Sequence, residues 1–146
     1  MKTKASIIID RPLKEVWEFV MDLSKVPTWD TAISEVRQTS TGPIGVGTTF
    51  EIKEKMMNRT ISARVIEYEP NRRLSFEHTS GPAKGSTLTN SVETVDGKTK
   101  LNWDEVLKLN GFYKLLGLFI TSSRERRTVA AILENAKRIL ESEAKS

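Results

Sequence analysis

Six strand-like segments follow one another between residues 32 and 109, and this run is the strongest constraint on the fold of the 146-residue chain. Apolar and polar residues alternate in several of them, as in "TFEIKE" at residues 49–54, which is typical of a strand with one buried face. Asp96-Gly97 is a strong hairpin signal, because this pair tolerates a positive φ. Consecutive strands with short connections predict an antiparallel sheet.

Helical patterns flank this run on both sides. After a strand predicted at residues 4–10, Asp10 can cap a helix and Pro12 suits its first turn. Apolar residues then recur at helical spacing: Leu13, Val16, Trp17 and Val20. Residues 22–27 are predicted to form a loop or a second short helix that ends at Pro27, because proline clashes with the preceding turn and lacks a backbone donor.

A last helix is predicted from about Phe112 to near Ser142. Its second half carries an apolar stripe opposite charged residues, formed by Val129, Ile132, Leu133, Ala136, Ile139 and Leu140. Its first half, at residues 111–123, is apolar nearly all round. We hypothesise that this half gates a cavity mouth and makes a peripheral contact with a membrane or a delivery partner. Both helical regions are expected to cover one face of the sheet.

Composition argues against several classes of protein. The length favours one domain over residues 1–146. The absence of cysteine excludes disulfides, and a single histidine argues against a zinc site, so we predict no cofactor. The first residues contain no apolar stretch long enough to predict a signal peptide, and no segment approaches the roughly 20 apolar residues of a membrane span. We therefore expect a soluble, cytoplasmic protein.

The charges predict little about partners. The net charge of +4 comes from 23 basic and 19 acidic residues, which are interspersed as on an ordinary solvated surface. The last helix carries Arg124, Arg126 and Arg127, but no stacking aromatic residues are interleaved with them. We predict no DNA partner and do not favour contact with RNA or ribosomes. A protein-interaction role rests on this basic helix alone, and the oligomeric state stays open.

The segment "IDRPLKEVWEFVMDLSKVPTWD" at residues 9–30 resembles the START-like superfamily, also called SRPBCC, and is close to its polyketide cyclase/dehydrase and lipid-transport branch. It contains a proline-initiated helix of the form V-W-x-x-V, then Asp-Leu, and then Pro-x-Trp. Residues 45–50 and 68–82 also match the family pattern. The resemblance implies an α+β helix-grip fold, in which a curved antiparallel sheet of seven strands wraps a long C-terminal helix and two short helices follow strand 1.

The resemblance also implies a cavity for an apolar ligand between the sheet and the C-terminal helix. The expected function is binding or transport of a small hydrophobic molecule, such as a lipid, isoprenoid, quinone or polyketide-like compound. Eight residues are candidates for contacting it: Trp29, Phe50, Met56, Phe76, Asn90, Trp103, Tyr113 and Phe119. Core packing is an equally simple role for the aromatic ones, Trp29 included.

His78 and Glu105 are the candidate catalytic residues. Strand alternation places His78 with Phe76 and Glu105 with Trp103, on the face that we expect to be concave. A histidine there can act as a general base. Glu105 would be a carboxylate in an apolar wall, with either Arg59 or Arg64 as its partner. The alternative function is a cyclase/dehydrase-type enzyme. The structural alternatives, a hydrogen-bonded histidine and an ion-paired or solvent-facing glutamate, stay open.

Overall fold

The computed structural model describes residues 1–117 and 122–143. Within these residues, seven strands form one antiparallel sheet in the order β1-β7-β6-β5-β4-β3-β2. The strands are β1 (Lys2–Ile9), β2 (Ile33–Gln38), β3 (Thr49–Glu54), β4 (Arg59–Glu69), β5 (Arg73–His78), β6 (Thr87–Val95) and β7 (Lys98–Val106). The predicted strand number and antiparallel pairing are confirmed.

The turn between β6 and β7 has the conformation that its sequence predicts. Asp96 and Gly97 both have positive φ angles, 50° and 78°, as a type I′ hairpin turn requires. At the other end of the chain, β1 pairs with β7, so that Thr3 lies opposite Glu105 and Ile7 opposite Leu101. The first strand is therefore held by the last one, and β1 and β2 form the two edges of the sheet.

Two α-helices and a 3₁₀ turn connect β1 to β2. They are α1 (Leu13–Met21), the 3₁₀ turn (Leu23–Lys25) and α2 (Val26–Trp29). The prediction that a helix ends at Pro27 is wrong. Pro27 lies in the first turn of α2, and that helix continues to Trp29. Proline is tolerated there because a first-turn N–H has no intrahelical partner to lose.

The predicted cap of α1 is also wrong. Pro12, rather than Asp10, occupies the N-cap position, and no side chain caps the helix. The backbone N–H of Asp10 instead donates to Glu141 Oε2 at 3.0 Å. This bond ties the end of β1 to the C-terminal helix.

Two helical segments follow β7 in the described residues, α3 (Phe112–Leu116) and α4 (Ser122–Glu143). Because residues 118–121 lie outside the described part, the continuity of the predicted long helix stays a prediction. The predicted stripe on α4 is confirmed: Val129, Ile132, Leu133, Ala136 and Leu140 are buried in the main core, and Ile139 packs against it. No helix in the described residues is long and apolar enough to span a membrane.

Helix α4 lies toward one edge of the sheet, where it contacts β1 and α2. Lys137 Nζ donates to the carbonyl oxygen of Ile8 at 2.7 Å, and Asn135 Nδ2 donates to that of Trp29 at 3.3 Å. Meanwhile α1 contacts β6 and β7, and α2 contacts β2. The short helices, together with the 3₁₀ turn, therefore cover the part of the inner face that α4 leaves open.

Candidate functional site

A cavity of about 210 Å³ lies between the inner face of the sheet and the segment from α1 to α2. Its lining is mostly apolar. The lining residues are Val20, Met21, Leu23, Val26, Trp29, Asp30, Ile33, Val36, Ile44, Phe50, Ile52, Glu54, Ile61, Leu74, Phe76, His78, Leu88, Asn90, Trp103 and Glu105. Within the described part of the chain, α4 supplies none of them. Glu125 near the start of α4 nevertheless approaches Glu105 of this lining, so the expected place between the sheet and the C-terminal helix stays a prediction. The short helices roof the cavity.

Strand alternation and register determine which side chains meet in this lining. On β5, β6 and β7, the inward residues form rows across the sheet. Phe76 pairs with Leu88, and Leu88 pairs with Glu105. The neighbouring row joins Asn90 to Trp103. Glu105 is thus surrounded by apolar neighbours from its own strand and from β6, which is an unusual setting for a carboxyl group.

Two tryptophans contribute buried donors to the cavity wall. Trp29 and Trp103 are 3% and 5% exposed, and their indole Nε1 atoms have no hydrogen-bond partner among the described residues. Trp29 also packs on Phe19, with ring centroids 6.4 Å apart, so it is both a core residue and a wall of the cavity. A buried N–H without a partner costs stability, and such atoms in a cavity wall are available to a ligand.

The carboxyl group of Glu105 has a strongly altered proton affinity. Its pKa is raised to about 7, first by burial, then by the negative charge of Glu125 on α4 and a side-chain hydrogen bond with it, and least by the charge of Asp30. The indole of Trp103 lowers the pKa and offsets part of this rise. Although the indole is close enough to lower the pKa, neither Trp103 Nε1 nor Glu105 Oε1 has a described partner at hydrogen-bond geometry. Glu105 can therefore hold a proton near neutral pH and either donate or accept a hydrogen bond.

No cation offsets the charge of Glu105 in the described residues. Neither arginine predicted as its partner pairs with it: Arg59 has Nε 3.3 Å from Oε1 of Glu54, and Arg64 is exposed. Asp30, another acid of the lining, also has its pKa raised by burial, against a lowering hydrogen bond from a backbone N–H. The cavity wall thus combines two carboxyl groups with raised pKa values and two indole N–H donors.

His78 lies in the same lining but on a different strand. Its ring stacks on Phe76 with centroids 5.9 Å apart, and its buried Nδ1 has no partner in the described part of the chain. Burial lowers its pKa, so the imidazole is neutral at pH 7. His78 on β5 and Glu105 on β7 are two strands apart, about 10 Å between backbones, and both side chains line the cavity.

The remaining predicted site residues divide into three groups. Phe50, Phe76 and Asn90 line the cavity. Met56 and Tyr113 do not: Met56 is 93% exposed in the turn after β3, and the ring of Tyr113 lies under the guanidinium of Arg59, 5.4 Å from its centroid. Phe119 lies outside the described residues.

Several lining residues were missed by the sequence reasoning. Leu88 shares strand alternation with Asn90, and this signal could have found it. Ile44 lies in the loop between β2 and β3, where no periodic pattern predicts its direction. Asp30 directly follows Trp29 and could have been inferred from it. No group of three or more potential metal-ligating residues occurs in residues 1–117 and 122–143.

A sequence model of the family described as polyketide cyclase/dehydrase and lipid transport matches residues 1–141. Among similar solved structures, a protein from Thermus thermophilus has a TM-score of 0.77 at 14% identity, covering 97% of this chain and 99% of its own. Ara h 8.0201 has a TM-score of 0.67 at 12% identity, covering 97% and 98%.

DynU16, a protein of the dynemicin biosynthetic locus, has a TM-score of 0.68 at 17% identity, covering 97% of this chain and 48% of its own. Identities this low show a shared fold alone. No curated protein matches the chain.

Proposed function

Because this chain belongs to the polyketide cyclase/dehydrase and lipid transport family, we propose that it binds a small hydrophobic molecule in the cavity under α1 and α2. The observation that carries the proposal is the set of unpartnered polar atoms in an otherwise apolar lining. They are Trp29 Nε1, His78 Nδ1, Trp103 Nε1 and Glu105 Oε1. An apolar pocket with a few convergent polar groups is the usual form of a small-molecule site.

The size of the cavity limits the ligand. Its volume is about 210 Å³. Pockets that enclose drug-sized molecules start at about 300 Å³. We therefore favour a single-ring compound, or one end of a longer molecule, over a complete lipid.

The polar atoms favour a neutral oxygen group on that ligand. Trp29 Nε1 and Trp103 Nε1 can only donate, so a carbonyl or hydroxyl oxygen is their natural partner. Glu105 can add a third donor while it holds its proton. A carboxylate ligand would meet Glu105 and Asp30 without a compensating cation, which disfavours it.

2-Phenylethanol, which has one ring and one hydroxyl group, is a suitable probe. On titration into ¹⁵N-labelled protein, we expect the indole N–H signals of Trp29 and Trp103 to shift. The signal of Trp17, which is outside the lining, should move little and serves as an internal control. Phenylacetate, a carboxylate of similar shape, should bind more weakly.

A cavity-filling variant tests the location of binding. Val36→Phe adds a ring to the lining on β2, and filling the space should weaken 2-phenylethanol binding at least about tenfold, equivalent to about 1.4 kcal/mol. Ile66→Phe on β4, where Ile66 is 41% exposed, is the matched control and should bind normally. Indole signals that do not move in the wild-type protein, or undiminished binding by Val36→Phe, would refute the proposed site.

A second candidate function is acid–base catalysis of the cyclase or dehydrase type. The observation that favours it is the presence in one cavity of a neutral imidazole, His78, and a carboxyl with a pKa of about 7, Glu105. Such groups are suited to remove and return protons near neutral pH. His78 would be the base that takes a proton from a carbon beside a carbonyl group.

Turnover of a poly-β-keto substrate tests this candidate. His78→Ala should abolish turnover but weaken 2-phenylethanol binding by only about a few-fold, because the two indole donors that can bind its hydroxyl oxygen remain. Turnover that survives in His78→Ala removes His78 from the reaction. If the wild-type protein binds the probe but shows no turnover, the binding function is supported and the enzymatic function is rejected.

A further inference from the structure

Four large apolar side chains are exposed at one end of the sheet. They are Met56, Met57, Phe112 and Leu115, with exposed fractions of 93%, 53%, 70% and 64%. Single exposed apolar residues are common on proteins, but several large ones at the same end of a sheet indicate an interaction surface. We call these four residues the apolar end surface.

Topology brings the four residues together. In an antiparallel sheet, the turn after β3, the loop after β5 and the segment after β7 all lie at the same end. Arg59, which follows the β3–β4 turn, lies over the ring of Tyr113 in α3 at 5.4 Å. The backbone N–H of Asn110, just before α3, donates to the carbonyl oxygen of Pro82 in the β5–β6 loop at 2.9 Å. The β3–β4 turn, which carries the two methionines, and α3 therefore lie at the same end of the sheet and are in contact through Arg59 and Tyr113.

Four exposed lysines lie at the same end of the sheet as the apolar end surface. Lys55 precedes the methionines, Lys114 lies between the exposed residues of α3, and Lys84 and Lys108 lie on the adjoining loop and strand end; all four are exposed. None of the four forms an ion pair within residues 1–117 and 122–143. The acid beside Lys55, Glu54, is already paired with Arg59. The surface thus combines exposed apolar side chains with uncompensated positive charge.

We propose that the apolar end surface docks on an anionic lipid membrane, with the apolar side chains entering the interface and the lysines contacting the headgroups. Charge complementarity selects this occupant, because exposed apolar residues ringed by basic ones are the arrangement that binds anionic bilayers. The docking extends the proposed function without depending on it. Glu54, Ile61 and His78 of the cavity lining lie near the same end, so a docked protein would hold its cavity close to the bilayer.

Flotation with vesicles of phosphatidylcholine, with and without phosphatidylglycerol, tests the proposal on the full chain. We expect the protein to float with the phosphatidylglycerol vesicles, to remain below the phosphatidylcholine vesicles, and to be released by high salt. Lys55→Glu combined with Lys114→Glu should reduce the bound fraction at least about tenfold. Met56→Ser combined with Phe112→Ser should reduce it in low salt as well, since the apolar contribution does not depend on charge.

Matched controls come from the opposite end of the sheet. Val46 in the β2–β3 loop is 70% exposed, and Lys98 is exposed beside the β6–β7 turn. Val46→Ser and Lys98→Glu should float as the wild-type protein does, and circular dichroism should show all variants folded. Absence of flotation with phosphatidylglycerol, or equal losses in these controls, would overturn the proposal. Dimerisation abolished by the Met56 and Phe112 changes, without vesicle binding, would assign the surface to a second copy and overturn it too.

Discussion

Replacing Leu133 with alanine is expected to lower the free energy of unfolding by about 2 to 5 kcal/mol. Leu133 is 1% exposed and lies in the main core on the stripe of α4. Because a packed core relaxes only partially, neighbouring side chains can close only part of the space that the truncated side chain leaves. Urea denaturation followed by circular dichroism would measure the change.

Glu134→Ala is the matched control for Leu133→Ala. Glu134 is the next residue on α4 and is exposed, so its truncation should change stability by no more than about 0.5 kcal/mol. Similar losses in the two variants would mean that the stripe of α4 does not form the core described above. The packing of the helix on the β1 edge would then need revision.

Replacing Glu105 with glutamine is expected to stabilise the folded protein above pH 7 by on the order of 3 kcal/mol. Burial, with the neighbouring carboxyl of Glu125, raises the pKa of Glu105 from 4.5 to about 7, so between these values the folded state keeps a proton that the unfolded state has lost. The wild-type protein therefore loses stability as pH rises from about 4.5 to 7. Glutamine keeps the shape of the side chain without this titration.

The most specific test of Glu105 is how the stability difference between Glu105→Gln and the wild-type protein depends on pH. The variant and the wild-type protein should have nearly the same free energy of unfolding below about pH 4.5. The difference should grow as the pH rises to about 7 and should stay constant above that. Glu35→Gln, at an exposed position on β2, should give no such gap. A Glu105→Gln variant whose stability follows the wild-type pH profile would show that this carboxyl group is not held in an apolar wall.

Local periodicity allowed most of the fold to be predicted. The strand segments, the inward direction of Phe76, His78 and Glu105, and the stripe of α4 all follow from spacing along the chain, because a period of 2 or 3.6 residues specifies which side chains share a face. The Asp96-Gly97 turn follows from backbone preference alone. These features need no information about distant parts of the molecule.

Long-range packing determined what the sequence did not reveal. Met56 has the same alternation as Ile52, but β3 ends at Glu54 and the following turn carries Met56 into solvent. The approach of Glu125 to Glu105 joins α4 to β7, and no local pattern indicates it. The position of the cavity under the short helices depends on where α4 packs, which is again a property of the assembled fold.

A crystal structure of the protein in complex with 2-phenylethanol tests the central claim most directly. We predict electron density for the probe inside the cavity under α1 and α2, with its ring against Phe76 and Leu88 and its hydroxyl group within hydrogen-bond reach of Trp29 Nε1 or Trp103 Nε1. Density only on the surface, with the space beside these indoles closed by packed side chains, would contradict the account.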